Sequence, residues 1–468
     1  MALLQIALPD AKVYPDHQVA LRSDPYFAQQ WALQNDGQTG GQLDADIDAT
    51  ELWPLTTGGT TTLGDTIVVA VLDRGFNLTH EDFADNIWIN QGEIPNNQID
   101  DDHNGFVDDI HGWNFETNTS DVSNGGLGHW HGTPVAGIIG AVGDNGVGVR
   151  GVNWQVKIMP LVVGTRVSDI VAAYRYVLAM RRHYHDSQGE AGAFVVVANA
   201  SFGKEFLRPA DAPLWCAVFD SLGQAGILSV ASAPNLAVDV DVRGDLPTTC
   251  PSPYLMAITN SDRRDQLTED AGYGPTSIDL GAPGTGIFTL KNNGTYGAFG
   301  GTSAAAPHVA GAIALLYALP LPELGLLARA FPDSAAALVK SALLRGVDTY
   351  PSQQPLSVSG GRLNVYRAAM NVYAHFGVPA PVAQACQATA FPNPAKDVLF
   401  VSFAMDTPGP VEVSMVDMRG KVMLSQCLQS VSVGSHRLRV SLTTLPPGSY
   451  VLRIRSREGE QHLTLLHW

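Results

Sequence analysis

Four continuous apolar runs constrain the fold of this chain more than any other feature of its sequence. They are TIVVAVLD at 66–73, QVKIMPLVV at 155–163, AFVVVANASFG at 193–203 and GILSVASAP at 226–234. A strand that is apolar at nearly every position is typical of a sheet buried on both faces. Segments long enough for helices, such as VSDIVAAYRYVLAMRRHYH, separate the runs. Strands that alternate with helices predict an α/β fold, with a mostly parallel sheet flanked by helices.

The C-terminal part of the chain has a different pattern. Beyond the Pro/Ala-rich stretch VPAPVAQAC, short alternating runs such as DVLFVSF, VEVSMVD and YVLRIRS are separated by turn residues, which is typical of a small all-β sandwich. Residues 1–379 carry a net charge of −19, whereas residues 380–468 carry +2. We therefore predict an N-terminal extension at 1–60 that packs on the main α/β domain at 61–376, a linker at 377–387 and a β-sandwich at 388–468.

Charge and hydropathy argue against two classes of protein. The net charge of the whole chain is −17, whereas a nucleic-acid-binding protein usually carries a basic patch. No apolar run reaches the roughly 18 residues of a transmembrane helix. The N-terminal stretch MALLQIALPD lacks the early Lys or Arg of a signal peptide, so any such signal is expected to have been removed or to lie elsewhere.

Three segments of the α/β part place reactive side chains where chemistry is expected. Asp73 ends the first apolar run, and ligands of open α/β sheets bind at the carboxyl ends of strands. His131, in GHWHGTPVAG, and Ser303, in GGTSAAAPHVAG, each follow a Gly-containing stretch and begin a small-residue helix. Ser303 alone could be a helix N-cap. With Asp73 and His131 it becomes a nucleophile supplied with a base and a group that orients the base.

VAVLDRG, HGTPVAG and GTSAAAPHVAG resemble the three active-site segments of the subtilisin-like serine peptidases of family S8, and the resemblance extends over roughly residues 25–375. It implies that Asp73, His131 and Ser303 form a catalytic triad that hydrolyses peptide bonds through an acyl-enzyme, with no cofactor for catalysis. Arg74 stands where the family usually has a small hydroxyl residue.

The same resemblance implies residues around the substrate. The oxyanion-binding asparagine of the family has its best match in Asn235, in the turn APNLAVDVD, although Ala-Pro replaces the usual glycine. The alternative for Asn235 is a turn-forming role without catalysis. NASFG resembles the strand that pairs with the substrate backbone, so Ser201, Phe202 and Gly203 are expected to bind the peptide.

An acidic loop, QIDDDHNGFVDDIHGWNF, follows the order of a calcium loop. DDDHNG fits the pattern D-x-[DN]-x-[DN]-G, and hard oxygen ligands at alternate positions suit Ca²⁺. A solvated acidic turn is the alternative, because His111 replaces the Glu of an EF-hand. The pairs HWH and HYH lack further zinc ligands, so zinc is disfavoured. We predict a structural Ca²⁺ with five ligands: Asp100, Asp102, Asn104, the backbone carbonyl of Phe106, and Asp108.

FPNPAKDVLFVSF, VDMRGKVM and LPPGSYVLRI resemble the C-terminal sorting domain of substrates of the Bacteroidetes type IX secretion system, over about residues 388–468. The resemblance implies recognition by that secretion machinery, passage across the outer membrane, and release or attachment at the cell surface. The final LTLLHW departs from the basic ending that is usual there.

The four cysteines divide evenly between the two parts of the chain. Cys216 and Cys250 flank the strand and turn that carry Asn235, and we predict a disulfide between them. Cys386 and Cys427 are the second predicted pair. Disulfides form in oxidising compartments, which agrees with export. Four buried thiols are the alternative.

The sequence thus predicts a secreted subtilisin-like endopeptidase that acts on proteins or peptides. One alternative is a catalytically inactive member of the family that serves as a surface binding or adhesion protein. Lipases and esterases are disfavoured, because their G-x-S-x-G turn and Ser-Asp-His order are absent from the sequence.

Overall fold

A nine-stranded sheet is the centre of the larger part of the protein. The computed structural model describes residues 24–123, 130–350, 355–379, 388–405, 409–417, 421–431, 434–456 and 459–468. The strands up to residue 362 are β1 Ile67–Asp73, β2 Trp113–Asn114, β3 Lys157–Val162, β4 Phe194–Ala200, β5 Lys204–Glu205, β6 Leu228–Ser232, β7 Asp245–Leu246, β8 Leu255–Ser261, β9 Leu280–Pro283, β10 Ile287–Leu290, β11 Tyr296–Phe299, β12 Asp348–Thr349 and β13 Gly361–Arg362.

The order of strands in the large sheet is β12-β13-β9-β8-β6-β4-β1-β3-β2. Every neighbouring pair is parallel except β12 with β13 at one edge. The strands β5 with β7 and β10 with β11 form separate two-stranded antiparallel pairs. The predicted α/β fold with a mostly parallel sheet is confirmed.

Helices cover both faces of this sheet. They are α1 Ala49–Leu52, α2 Gly132–Gly140, α3 Val167–Asp186, α4 Pro213–Gln224, α5 Val240–Arg243, α6 Thr302–Tyr317, α7 Pro322–Ala330, α8 Pro332–Gly346 and α9 Val365–His375. Short 3₁₀ helices lie at Phe27–Gln29, Gln38–Gly40, Ala84–Asn86 and Pro209–Asp211. Side chains of α2 and α6 to α9 belong to a core on one face of the sheet, and those of α3 and α4 to a second core on the other.

The strand β1 shows why its sequence is apolar throughout. Val69 and Val71 point into the core beneath α2 and α6, whereas Val68 and Leu72 point into the core beneath α3 and α4. All seven residues of the strand are buried. A strand with two apolar environments cannot alternate between apolar and polar residues, and only its last residue, Asp73, is charged.

The helix α6 lies in the middle of the first core, and all of its 16 residues are buried. A Cβ at Gly311 would come within 2.7 Å of the Val152 Cβ, so this position requires glycine. The small residues of the helix therefore let its backbone approach its neighbours closely.

Residues 24–60 pack on the main domain. Trp31, Leu33 and Ile47 are buried in the core beneath α2 and α6. The fully buried Arg362 of β13 donates to the Asp44 carbonyl at 3.1 Å and forms an ion pair with Asp265 at 2.9 Å. The predicted domain boundaries at residues 60, 376 and 387 stay predictions.

The predicted disulfide between Cys216 of α4 and Cys250 is present, with the two Cα atoms 5.1 Å apart. Both cysteines lie in the second core. In the other predicted pair, Cys386 lies outside the described residues, and Cys427 is on an exposed strand position.

The C-terminal part consists of antiparallel strands, as predicted. They are β14 Thr389–Phe391, β15 Val398–Met405, β16 Gly409–Asp417, β17 Val422–Val431, β18 Gly434–Ser441, β19 Gly448–Ser456 and β20 Gly459–His467. One sheet has the order β14-β15-β18 and the other β17-β16-β19-β20, and side chains of both sheets share one core. An ion pair between Arg437 and Asp36 connects this part to the N-terminal extension.

Within the described ranges, no single helix has the length and apolar composition needed to cross a membrane. The bent pair formed by α6 and α7 satisfies those two criteria together, but α6 is buried inside the domain along its whole length.

Candidate active site

Asp73 and His131 are joined at the point where β1 ends and α2 begins. The Nδ1 atom of His131 lies 2.7 Å from Oδ1 of Asp73. The Asp73 side chain is 3% exposed and the His131 side chain 22%. A proton on Nδ1 would be donated to the carboxylate, which leaves Nε2 as the acceptor on the open side of the ring. The Asp73 carboxylate is thus placed to orient the imidazole.

The surroundings of His131 make it a stronger base than a free imidazole. Burial lowers the pKa of the ring, and the positive charge of Arg74 lowers it too. The negative charge of Asp73 and its hydrogen bond raise the pKa by more, so that it lies above its ordinary value of 6.5. The base is therefore strengthened by its carboxylate partner.

Ser303 lies at the same edge of the sheet. Leu72 of β1 is paired with Ala200 of β4, so the residues that follow, Asp73 and Ser201, are neighbours at the carboxyl ends of adjacent strands. The Ser303 hydroxyl donates to the Ser201 carbonyl at 3.1 Å, and the Ser201 hydroxyl donates to the Ser303 carbonyl at 3.0 Å. The chain thus brings a serine hydroxyl to the edge that carries the Asp-His pair.

The described residues contain no hydrogen bond between the Ser303 hydroxyl and the His131 ring. Hydrogen bonds between a nucleophile and its base are often formed only in the complex with substrate. Rotation about the Cα–Cβ bond of Ser303 would redirect the hydroxyl away from Ser201.

The turn before α6 is fixed by backbone conformation and by side-chain hydrogen bonds. Gly301 has a φ of 85°, which an L side chain rarely adopts. The Thr302 hydroxyl donates to the Ala233 carbonyl at 2.5 Å. These two features hold the first turn of α6, and with it Ser303, against the end of β6.

Asn235 lies directly beside this turn. Its Oδ1 atom accepts a hydrogen bond from the Thr302 backbone N–H at 2.9 Å and lies 3.1 Å from the Thr302 hydroxyl oxygen. Since the side-chain oxygen is held by Thr302, the amide Nδ2 is the end of the side chain that remains to donate. The residue itself is exposed, so the amide can reach a ligand in front of Ser303.

Ser201, Phe202 and Gly203 form the segment between β4 and β5. Ser201 is buried against Ser303, Phe202 packs at 6.4 Å from the Trp215 ring, and Gly203 is exposed. A Cβ at Gly203 would come within 2.7 Å of the Leu246 carbonyl. Phe202 and Gly203 lie in no strand of the fold.

Two aromatic side chains, Trp130 and Phe299, lie beside His131 and were not predicted from the sequence. The Phe299 ring contacts the His131 ring edge-on, with centroids 5.2 Å apart, and the Trp130 ring does the same at 5.5 Å. Phe299 is buried, whereas Trp130 is 52% exposed. In the sequence, Trp130 stands between two histidines. That pattern suggests a test for a metal site and gives no sign of an aromatic surface.

The acidic loop gathers a different set of carboxylates from the one predicted. Oxygen atoms of Glu93, Asp100 and Asp102 lie within 4.8 Å of one another. Asp108 is not part of this group, since its carboxylate accepts the N–H groups of Asn97 and Gln98 at 3.1 and 3.0 Å. Hard oxygen donors so close together suit a divalent cation such as Ca²⁺.

The remaining residues of the loop support its shape. The Asn104 side chain accepts from the Phe106 N–H at 2.8 Å and donates to Asp109 at 2.9 Å. The Phe106 ring packs edge-on against Tyr176, with centroids 5.0 Å apart. Glu93 binds the loop from outside the motif, since its Oε1 accepts the Asp101 N–H at 2.8 Å.

A second acidic cluster, also missed by the sequence, consists of Asp46, Asp48 and Glu51. Burial, and then the charge of Glu51, raise the pKa of Asp46 to about 8. Burial, and then the charge of Asp48, raise the pKa of Glu51 to about 7. Burial therefore favours the protonated form of these carboxyl groups, although the positive charge of Arg362 lowers the pKa of Asp46 in part.

His308, on α6, is buried and bonds to the Ala304 carbonyl at 2.8 Å through Nδ1. Burial lowers the pKa of its ring to about 4. His308 is consequently a neutral structural residue.

Comparisons with known proteins agree with this geometry. The chain matches the subtilase family over residues 64–352 and the secretion system C-terminal sorting domain over residues 389–465, which confirms both resemblances predicted from the sequence. A subtilisin-like protease 1 of Plasmodium berghei (strain Anka) is 26% identical over 336 residues, which are 67% of this chain and 51% of that protein.

An extracellular protease of Xanthomonas campestris pv. campestris is 28% identical over 314 residues, which are 64% of this chain and 50% of that protein. The chain thus spans about half the length of both relatives. A solved structure of a protease from Pseudoalteromonas arctica shares the fold, with a TM-score of 0.52 and 22% identity over 75% of this chain and 100% of that chain.

The pairing of Asp73 with His131 predicts a change of pKa of known sign. In Asp73→Asn the raising influence is lost, and burial and Arg74, which both lower the pKa of His131, remain. We expect this pKa to fall, as measured by NMR titration of the imidazole protons in the folded chain. Arg74→Gln is the matched control and should raise it. A pKa of His131 that stays unchanged in Asp73→Asn would contradict the pairing.

Proposed function

Because the chain belongs to the subtilase family, we propose that it is a secreted serine endopeptidase that hydrolyses peptide bonds through Asp73, His131 and Ser303. The observation that carries the proposal is the 2.7 Å hydrogen bond between His131 and Asp73 at the sheet edge to which Ser303 is bound through Ser201. An orienting carboxylate, a strengthened base and a hydroxyl at a helix N-terminus are the parts that acyl transfer requires.

In the proposed reaction, Nε2 of His131 accepts the Ser303 proton while Oγ attacks the carbonyl carbon of the scissile bond. The C–N bond then breaks, and His131 returns the proton to the leaving amine, which leaves an acyl ester on Ser303. Water attacks this ester, with His131 as the base, and the proton goes back to Ser303 as the ester bond breaks. Asp73 stabilises the imidazolium in both halves of the reaction.

The negative charge on the carbonyl oxygen would be bound by Nδ2 of Asn235 and by the Ser303 backbone N–H. The first N–H groups of a helix have no partner within it, and Ser303 is the second residue of α6. The Thr302 N–H donates to Oδ1 of Asn235 at 2.9 Å and so directs Nδ2 away from the helix. Donors fixed before the reaction cost no reorganisation when charge develops.

The acyl half of the substrate would lie along Ser201, Phe202 and Gly203. An extended peptide binds an unpaired strand segment through main-chain hydrogen bonds. Phe202 and Gly203 are outside the ladders of the sheets, and Ser201 contacts the proposed nucleophile. These residues support a preference for extended segments of proteins or peptides.

The cation of the acidic loop is proposed to be a structural Ca²⁺. Its support is the group of Glu93, Asp100 and Asp102, whose oxygen atoms lie within 4.8 Å of one another. When bound, the ion would neutralise the mutual repulsion of these carboxylates and brace the loop.

The sorting domain indicates secretion and attachment at the cell surface. We infer that the type IX machinery recognises it, while the peptidase acts outside the cell. Within the described residues, an ion pair between Arg437 and Asp36 joins the two parts.

Ser303→Ala should abolish peptide hydrolysis and leave the fold intact. Loss of a triad member leaves only the catalysis that comes from binding and the oxyanion site, a drop of about 10⁶ in kcat. Turnover is measured on a quenched fluorescent peptide, and the melting curve confirms folding. Labelling by a fluorophosphonate should occur in the native chain and vanish in the variant. A native chain that neither cleaves nor labels would favour the inactive binding protein.

Asn235→Ala should lower kcat about 10²–10³-fold with little change in KM, a range that comes from removal of one oxyanion donor in a subtilisin. Asn235→Asp is the control, because its carboxylate can still accept from Thr302 but cannot donate. A loss of similar size or greater in Asn235→Asp is expected. Recovery of activity in Asn235→Asp would show that the residue serves only to cap α6.

Chelation should lower the melting temperature of the chain, and Ca²⁺ should restore it. A ligand that binds only the folded state at 100 times its Kd stabilises that state by about 2.7 kcal/mol. Glu93→Gln should remove the response to Ca²⁺, whereas Asp108→Asn should largely keep it. A response that persists in Glu93→Gln would place the ion elsewhere, and the same melting temperature with and without chelator would exclude a stabilising ion.

A further inference from the structure

Trp130 is exposed next to His131, and its ring contacts within the described residues are with His131 and Phe299. Six of the eight tryptophans are buried or partly buried, and Trp468 is the last residue of the chain. Trp130 is 52% exposed although it lies next to the Asp-His pair. A large aromatic surface left open at a reacting centre favours an apolar ligand.

Phe299 makes this surface continuous. Its ring lies 5.2 Å from the His131 ring and 6.4 Å from the Trp130 ring, at 73° and 80°. Phe299 is the last residue of β11, and three residues separate it from Ser303. Phe299 is only 9% exposed, whereas Trp130 is 52% exposed. Phe299 therefore packs against Trp130 on the buried side, and Trp130 presents the solvent-exposed ring.

The rings of Trp130 and Phe299 lie on the side of the site where the leaving half of the substrate would bind. The proposed acyl half lies along Ser201 to Gly203, beyond the nucleophile. The described ring contacts of Trp130 and Phe299 are with His131 and with each other, and none reaches the segment 201–203. His131 is the group that must protonate the departing amine, so rings packed on it border the departing half.

We propose that Trp130, supported by Phe299, is a specificity-determining residue that binds the side chain of the first residue of the leaving group and selects bonds where that side chain is large and apolar. The inference rests on the proposed peptidase function. Burial of an apolar side chain against the indole removes water from both surfaces.

Partitioning of the acyl-enzyme tests this half of the site alone. The full chain is acylated by one peptide ester, and leucinamide, phenylalaninamide, serinamide or glycinamide is then added as the competing nucleophile. Each amide occupies the place of the leaving residue, while the acyl half stays constant. We expect phenylalaninamide and leucinamide to capture the acyl group about tenfold better than glycinamide, a discrimination typical of apolar pockets.

Trp130→Ala should reduce that preference to less than about threefold, and Trp130→Phe should keep most of it. Phe331→Ala removes another exposed aromatic side chain, at the junction of α7 and α8, and should leave the preference unchanged. Melting curves establish that each variant is folded. Activity towards the ester is also recorded for every variant. The ratio of capture between two amides can be compared among variants even when their absolute activities differ.

Equal capture of all four amides by the native chain, or an unchanged preference in Trp130→Ala, would overturn this inference and leave the peptidase function standing. A chain that forms no acyl-enzyme from the ester would overturn the proposed function together with the inference.

Discussion

The burial of α6 is the constraint on which the candidate site depends. All 16 of its residues are buried, and glycine at 311 lets it approach Val152 closely. Because the helix cannot shift without opening the core, its first turn has a fixed position at the sheet edge. The hydrogen bonds of Thr302 with Ala233 and of Ser303 with Ser201 then secure that turn to two neighbouring strands. The proposed nucleophile would therefore need little movement to react.

Electrostatics at the site follow from the same burial. Asp73 ends a strand with no polar residue before it, and its Oδ1 atom lies 2.7 Å both from the Arg74 backbone N and from Nδ1 of His131. The pKa of His131 rises despite burial, whereas the pKa of His308, which has no carboxylate beside it, falls to about 4. The pKa values of His131 and His308 thus shift in opposite directions, because only His131 contacts a carboxylate.

Much of the fold and of the site could be predicted because local patterns determine them. Continuous apolar runs identify strands with two buried faces, and the segments around Asp73, His131 and Ser303 each combine a distinctive motif with a strand end or helix start. The Cys216–Cys250 disulfide was also predicted and is confirmed. The roles of the site residues remain predictions that the geometry supports.

The parts that could not be predicted arise from contacts between distant segments. Glu93 precedes the calcium motif and reaches it only because the loop folds back, and Asp108 turns to Asn97 and Gln98 for the same reason. Phe299 and Trp130 are far apart in sequence, and neither residue alone suggests an aromatic surface. Asp46, Asp48 and Glu51 are close together in sequence, but the burial that raises the pKa values of Asp46 and Glu51 comes from the packing of residues 24–60 on the domain.

The packing of residues 24–60 also determines how the protein can mature. Trp31, Leu33 and Ile47 fill the core beneath α2 and α6, and full burial of such side chains contributes about 1.5–3 kcal/mol each. The backbone of this segment is bound as well, since the Val365 N–H donates to the Ile47 carbonyl at 2.9 Å. Proteolytic removal of this segment would therefore uncover the core instead of releasing an inhibitor. Any proteolytic processing that keeps the domain folded therefore has to leave Trp31, Leu33 and Ile47 in place.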